Sequence, residues 1–169
     1  QGGYEIYIEG ANVGGSLWDE LFELGKDLNV RAGAPNLIER IEAGLLSYGN
    51  DMTQVNNPYE CGLGKYCQAE KVECIGRDAL LKIAEEGPAR QIRSLAIDGE
   101  PLTDCTDTWP VVANGEEVGH VTSSAWSPDF ETNVAIGMIR MNYWDDGSQV
   151  QVETPGSHRS ATVKESSFI

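Results

Sequence analysis

Apolar side chains in the first part of the chain follow two different periods. Residues 4–8 alternate and are rich in β-favouring side chains, which predicts a strand. Past turn residues at 12–15, apolar positions recur at helical spacing and predict a helix with Ser16 as N-cap and Asp19 at the N3 position. The apolar stripe of this helix consists of Leu17, Trp18, Leu21, Phe22 and Leu28.

A second helix is predicted to begin at Pro35, because the first helical position needs no N–H donor. Arg40 lies outside its apolar stripe, so the guanidinium can contact a group other than the core. A strand and two helices are too few to enclose a core. We therefore expect this unit to recruit a second copy of the chain or to remain poorly ordered. The apolar stripe of this second helix consists of Leu37, Ile38, Ile41 and Leu45.

The pattern breaks between residue 48 and about residue 73, where turn residues are frequent and no period persists. This stretch predicts a connector between two units. A short helix is predicted over 78–86, and Gly87 followed by Pro88 ends it.

Beyond Ala89 the period changes to that of short strands. Asn114-Gly115 predicts a tight hairpin, because both residues tolerate positive φ, and Pro155-Gly156 predicts a second turn. The stretch 134–141 is apolar almost throughout, as expected of a strand covered on both faces. Regular spacing of this kind predicts a small antiparallel barrel or sandwich. The predicted strands are 92–97, 111–113, 118–122, 134–141, 150–152 and 161–163.

Charge and cysteine spacing exclude several kinds of partner. The net charge is −15, with 27 acidic against 12 basic residues, so binding to nucleic acid is not expected. No apolar run reaches the roughly 18 residues of a membrane span, and no charged segment followed by an apolar one opens the chain. We therefore expect no membrane insertion and a cytoplasmic location. The cysteines lack the spacing of a zinc site, which predicts free thiols and no bound metal. They are Cys61, Cys67, Cys74 and Cys105.

Four segments, in this order and spacing, carry a resemblance to a known family. The chain resembles the glycine-cleavage T-protein (aminomethyltransferase) family over nearly its whole length. Residues 35–42, 46–51 and 57–62 look most like the dimethylsulfoniopropionate demethylase branch, which moves a methyl group from a sulfonium to tetrahydrofolate. The four segments are 2–6, 39–51, 75–80 and 119–128.

The resemblance implies a fold class of α+β. It implies a partial α/β (ferredoxin-like) unit followed by a small antiparallel β-barrel. We accordingly assign residues 1–70 to the C-terminal part of a folate-binding domain, 71–88 to a connector with a short helix, and 89–169 to a C-terminal barrel.

The same resemblance implies that tetrahydrofolate is the cofactor. In the family a glutamate in the segment matching Glu5 binds the pterin, and an arginine matching Arg40 helps to hold the folate. A carboxylate can accept two adjacent pterin N–H groups, a guanidinium can bind carboxylates as a planar fork, and Tyr4 could stack on the ligand. The plain alternative is that Glu5 is simply solvated and that Arg40 pairs with a neighbouring glutamate. Residues 122–124 and 127–128 are predicted to shape a turn and not to contact the ligand.

The family's catalytic aspartate and its sulfonium pocket lie in an N-terminal part that this sequence does not contain, so no catalytic residue is assigned. Because the chain begins at Gln1 rather than Met, close to a predicted strand, we expect a C-terminal fragment that is inactive alone. The expected partners are folate, a small methylated donor, the N-terminal part of the same protein and, in a homodimer, a second copy. An aminomethyltransferase and a non-catalytic folate-binding module remain alternatives.

Overall fold

A computed structural model describes residues 3–10, 12–33, 36–103 and 105–169 of the chain. The chain divides into two compact units, residues 1–35 and residues 36–169. No helix within these described ranges is both long and apolar enough to cross a membrane.

The first unit contains helix α1, Gly14–Leu24, and a 3-10 turn, Lys26–Leu28. No residue of α1 is buried, and Trp18 and Leu21 on its apolar stripe are both exposed. The rings of Trp18 and Phe22 pack on each other with centroids 4.6 Å apart. The expected recruitment of a second copy to this face stays a prediction.

Two predictions for the first unit are wrong. Residues 4–8 form no strand, because a strand exists only through hydrogen bonds to a neighbour and no described segment pairs with them. Ser16 is not the N-cap of α1, because Gly14 and Gly15 are already helical and Val13 occupies the cap position. The Ser16 hydroxyl instead donates back to the carbonyl of Val13, at 3.0 Å.

Among its described residues, the second unit contains two α-helices and six strands. Helix α2, Leu37–Glu42, begins after the N-cap Asn36, whereas Pro35, the predicted first residue, lies outside the described residues. Helix α3, Arg77–Glu86, ends at Gly87 close to its predicted bounds. Two further 3-10 turns are Gly64–Tyr66 and Met141–Tyr143. The strands are β1 Arg90–Ile97, β2 Trp109–Ala113, β3 Glu116–Ser127, β4 Thr132–Arg140, β5 Gln149–Thr154 and β6 Ser157–Lys164.

The six strands form a closed antiparallel barrel in the order β1-β4-β3-β2-β5-β6. The first strand closes it by pairing with the last, Leu95 opposite Val163. Asn114 and Gly115 have φ values of 53° and 80°, the geometry of the predicted hairpin turn between β2 and β3. The α+β fold class with a small antiparallel barrel is therefore confirmed.

The barrel has an apolar interior and one covered patch on its outer face. All six strands contribute to the interior cluster, which includes Leu95, Val121 and Ile139. On β4 alternate residues point the other way, and there Val134 and Ile136 pack with Ile41 of α2. Strand β4 is thus buried on both faces, as its apolar sequence predicts.

Candidate functional site

Helix α2 fixes the base of Arg40. The side chain of Asn36 accepts the N–H of Glu39 at 2.8 Å and caps the helix. Ile41 is fully buried against the barrel, so the neighbouring Arg40 leaves the helix beside this contact. Arg40 does not pair with a neighbouring glutamate of α2. Its Nη1 instead donates to Oδ2 of Asp51 over 2.6 Å.

Asp51 is the centre of this arrangement, and its side chain is fully buried. Besides Arg40, Oδ2 accepts the backbone N–H of Ser47 at 2.8 Å. Oδ1 accepts the hydroxyls of Thr122 and Ser123, each at 2.6 Å. Four donors occupy the lone-pair positions of this carboxylate. Asp51 is therefore an anchoring anion and not a base with room for a substrate proton.

Strand β3 supplies the other half of the network. The Ser123 hydroxyl oxygen accepts Nη2 of Arg40 at 2.7 Å and Nδ2 of Asn50 at 2.8 Å. Asn50 also donates to the carbonyl of Thr122 at 3.0 Å. We call Arg40, Asn50, Asp51, Thr122 and Ser123 the Arg40 cluster. It ties α2 and the loop after it to the outside of the barrel.

A second polar link joins α2 to the same strand. The buried hydroxyl of Ser127 donates to Oε1 of Glu42 over 2.6 Å. The prediction of a turn is wrong for residues 122–124, which lie inside β3, whereas the chain does turn directly after Ser127, whose hydroxyl oxygen accepts the N–H of Phe130 at 3.1 Å. Small hydroxyl side chains are used here because they let the helix approach the strand while supplying donors to its charged residues.

The guanidinium of Arg40 has more N–H donors than the Arg40 cluster uses. Nη1 donates to both Asp51 and the carbonyl of Leu45, the latter at 2.8 Å, whereas Nη2 makes one bond, to Ser123. Among the described residues, Nε and the second Nη2 hydrogen have no acceptor, and the side chain is 21% exposed. A fixed guanidinium with two unused N–H groups is suited to holding a carboxylate or another planar acceptor.

Glu5 and Tyr4 belong to the first unit, whereas Arg40 belongs to the second. Both side chains are exposed. Glu5 accepts the hydroxyl of Tyr7, and this bond raises the pKa of Tyr7 above its ordinary value. The carboxylate of Glu5 thus has at least one local partner, and no contact in the structure tests its expected role toward a pterin.

A separate ion pair anchors the loop that contains Glu60 to the barrel. Nε of Arg90 on β1 donates to Glu60 at 2.9 Å, and the backbone N–H of Ile92 donates to the carbonyl of Glu60 at 2.7 Å. Burial alone would raise the pKa of Glu60, but hydrogen bonds from Arg90 and from Asn57 and Asn56 outweigh it. The pKa of this carboxyl therefore lies below its ordinary value.

This lowered pKa gives a pH-dependent contribution to stability. A carboxyl with a lower pKa in the folded chain stabilises fully above its unfolded pKa of about 4.3, and loses that contribution as pH falls through the folded value. We expect Glu60→Gln to reduce stability at pH 7 and to flatten the acid limb below about pH 4. Urea titrations from pH 7 to pH 3 measure this, with the exposed Glu116→Gln as control. Parallel curves for Glu60→Gln and wild type would contradict the expectation.

Two of the cysteines, Cys61 and Cys105, are poor nucleophiles. Burial raises the pKa of Cys105 to about 11, and it also raises the pKa of Cys61. A thiol with such a pKa is protonated at neutral pH, and the thiolate is the reactive form.

Comparison with known protein families divides the chain into two matches. Residues 1–71 match the GCVT N-terminal domain, and residues 90–169 match the glycine cleavage T-protein C-terminal barrel domain. Residues 90–169 contain all six strands of the barrel.

Individual relatives point the same way. The chain is 56% identical to dimethylsulfoniopropionate demethylase DmdA of Ruegeria pomeroyi, over 98% of this chain and 45% of that protein. It is 35% identical to an aminomethyltransferase of Symbiobacterium thermophilum, over 98% of this chain and 44% of that protein. An aminomethyltransferase of Synechococcus shows 36% identity over 98% of this chain and 45% of that protein.

A solved structure agrees in fold. Glycine cleavage system aminomethyltransferase T from Bartonella henselae superposes with a TM-score of 0.68 at 28% identity, over 77% of this chain and 37% of that one. The chain thus spans less than half the length of these relatives. Two of the segments that carry the predicted resemblance, 39–51 with Arg40 and Asp51 and 119–128 with Ser123, meet in the Arg40 cluster. The chain belongs to the glycine cleavage T-protein family.

Proposed function

We propose that this chain is the C-terminal part of a tetrahydrofolate-dependent methyltransferase that takes a methyl group from a sulfonium such as dimethylsulfoniopropionate. The observation that supports this choice is the gap in identity. The chain shares 56% with a dimethylsulfoniopropionate demethylase, but 35% and 36% with two aminomethyltransferases of similar coverage. In this proposal the 169 residues alone are inactive.

The proposal includes an assignment of domains and partners. Residues 1–70 complete a folate-binding domain whose remainder precedes this chain. Residues 71–88 connect this domain to the barrel, which residues 89–169 form. The donor site and catalytic residues lie in the preceding part, and the assembled enzyme acts in the cytoplasm. A homodimer would cover the exposed apolar face of α1.

The described side chains carry chemical groups that are complementary to those of folate. The two N–H groups of Arg40 without an acceptor among the described residues suit the carboxylates of the folate tail. Glu5 suits the adjacent N–H donors of a pterin, and the exposed ring of Tyr4 suits stacking on it. Bound tetrahydrofolate would supply the N5 amine to which the methyl group is transferred, and a neutral thioether would leave.

Alignment is the main contribution that this part of the protein can make. Transfer of a methyl group between a sulfonium and an amine needs the nucleophile, carbon and leaving group in line more than it needs a strong base. The Arg40 cluster holds one folate-binding group rigidly through Asp51 and Ser123. Such preorganisation lowers the entropy lost when the ligand binds.

Calorimetry of tetrahydrofolate binding to the full-length protein tests the proposed ligand residues. Glu5→Gln and Arg40→Lys are each expected to weaken binding about ten- to a hundredfold, because a charge-assisted contact contributes roughly 1.5–3 kcal/mol. Lysine keeps a positive charge beside Asp51 but loses the planar fork.

The exposed Glu116→Gln in the β2–β3 hairpin is the matched control. Equal affinities for the two variants and this control would show that neither residue touches folate. Methyl transfer by the isolated 169 residues would contradict the placement of the donor site.

The alternative within the same family is aminomethyl transfer, which the aminomethyltransferase relatives favour. Assays of the full-length protein with a sulfonium and with an aminomethyl donor separate the two. Folate binding without turnover on either donor would favour a non-catalytic folate-binding module.

A further inference from the structure

Residues 166–169, which we call the strap, lie against the end of α2. The backbone N–H groups of Phe168 and Ile169 both donate to the carbonyl of Glu42, at 2.8 Å and 3.2 Å. Only Glu165 separates the strap from the end of β6, so the barrel fixes where the strap begins.

Helix α2 depends on such contacts. It has six residues, and helices this short are unstable in isolation. Its last carbonyls have no partner within the helix, and the strap satisfies that of Glu42. The ring of Phe168 adds an apolar anchor, because it packs on the cluster around Ile41 and lies 5.4 Å from the ring of Phe130.

The second residue after the helix, Gly44, leaves room for the strap. Gly44 has a φ of +65°, which disfavours other residues, and a Cβ there would lie 3.2 Å from Cβ of Ser167. Helix α2 is therefore held on two sides. The Arg40 cluster ties its side chain to β3, and the strap ties its last turn to the end of β6.

We propose that the strap positions Arg40 for ligand binding and that Phe168 is the positioning residue that anchors it. This inference rests on the proposed role of Arg40 in holding folate. Without the ring of Phe168, the last turn of α2 would open more often. The guanidinium would then be presented correctly for a smaller fraction of the time, which weakens apparent affinity by that fraction.

Two readouts test the proposal. Amide hydrogen exchange at Ala43, Gly44 and Leu45 in the 169-residue chain reports local opening of α2, and calorimetry on the full-length protein reports tetrahydrofolate affinity. We expect Phe168→Ala to leave the last turn of α2 closed in about a tenth of the molecules, so that exchange there approaches that of an unprotected amide and folate binding weakens about tenfold. Phe168→Leu should recover most of both effects.

Val152→Ala is the control, because Val152 is fully buried inside the barrel on β5. It should lower the thermal midpoint at least as far as Phe168→Ala while leaving both readouts near wild type. Unchanged exchange in Phe168→Ala would overturn the proposal. Faster exchange in Phe168→Ala with unchanged folate affinity would also overturn the proposal, provided that Arg40→Lys weakens folate binding. If neither variant weakens folate binding, the proposed role of Arg40 fails, and its positioning by the strap fails with it.

Discussion

Replacing Asp51 by alanine is expected to lower the free energy of unfolding by about 3 kcal/mol. Loss of one partner from a buried ion pair typically costs about 3–5 kcal/mol, and we take the lower end because Arg40 is partly exposed and can rehydrate. The change also leaves the N–H of Ser47 and the hydroxyls of Thr122 and Ser123 without their acceptor. Urea unfolding followed by circular dichroism measures the loss.

Asp129→Ala is the matched control, because Asp129 is an exposed acid with no hydrogen bond among the described residues. Its unfolding midpoint should stay within experimental error of wild type. Asp51→Asn should lie between the two, since it keeps the shape of the side chain and loses the charge. Equal midpoints for Asp51→Ala and Asp129→Ala would mean that the Arg40 cluster contributes nothing to stability.

Gly119→Ala should destabilise the barrel to a similar extent, by about 3 kcal/mol. A Cβ at this position of β3 would lie 2.2 Å from the carbonyl oxygen of Met138 and 3.0 Å from Cδ1 of Ile139. Overpacking of this kind typically costs about 1–3 kcal/mol, and the obstructing oxygen belongs to the backbone, so relief requires β4 itself to move. Thermal and urea unfolding of the chain report the effect.

Gly15→Ala makes the same chemical change where there is space. No atom lies within 4 Å of its added Cβ, and Gly15 is inside α1. Alanine there should leave the barrel unaffected and favour the helix by roughly 0.5–1 kcal/mol. A barrel that unfolds at the wild-type midpoint with Gly119→Ala would show that β3 and β4 are less rigidly spaced than the structure indicates.

The barrel could be predicted from sequence because its signals are local. Asn114-Gly115 and Pro155-Gly156 fix two hairpins by backbone preference alone, and the apolar stretch of β4 reflects burial on both faces. The helices α2 and α3 follow from period and stop signals in the same way. The predicted bounds of the domains, at residues 70 and 89, stay a prediction.

Long-range partners could not be predicted in this way. A strand at 4–8 depends on a neighbour, and the local pattern cannot say whether one exists. Asp51 and Ser123 are 72 positions apart, and hydroxyl residues on a strand look the same whether they face solvent or a buried carboxylate. The Tyr48-Gly49-Asn50-Asp51 segment was a usable signal, because it lies in the same resemblance-carrying segment as Arg40. Sequence pattern alone gave it no role.

The pairing of β1 with β6 constrains how the chain can be synthesised. Residues 94–97 of β1 pair with residues 161–164 of β6. The barrel therefore cannot close until the ribosome has passed Lys164. Until then one edge of β1 and one of β5 are open to other chains, and such edges promote aggregation. Nascent chains that stall between β5 and β6 should therefore need chaperones, whereas chains released after Lys164 should not.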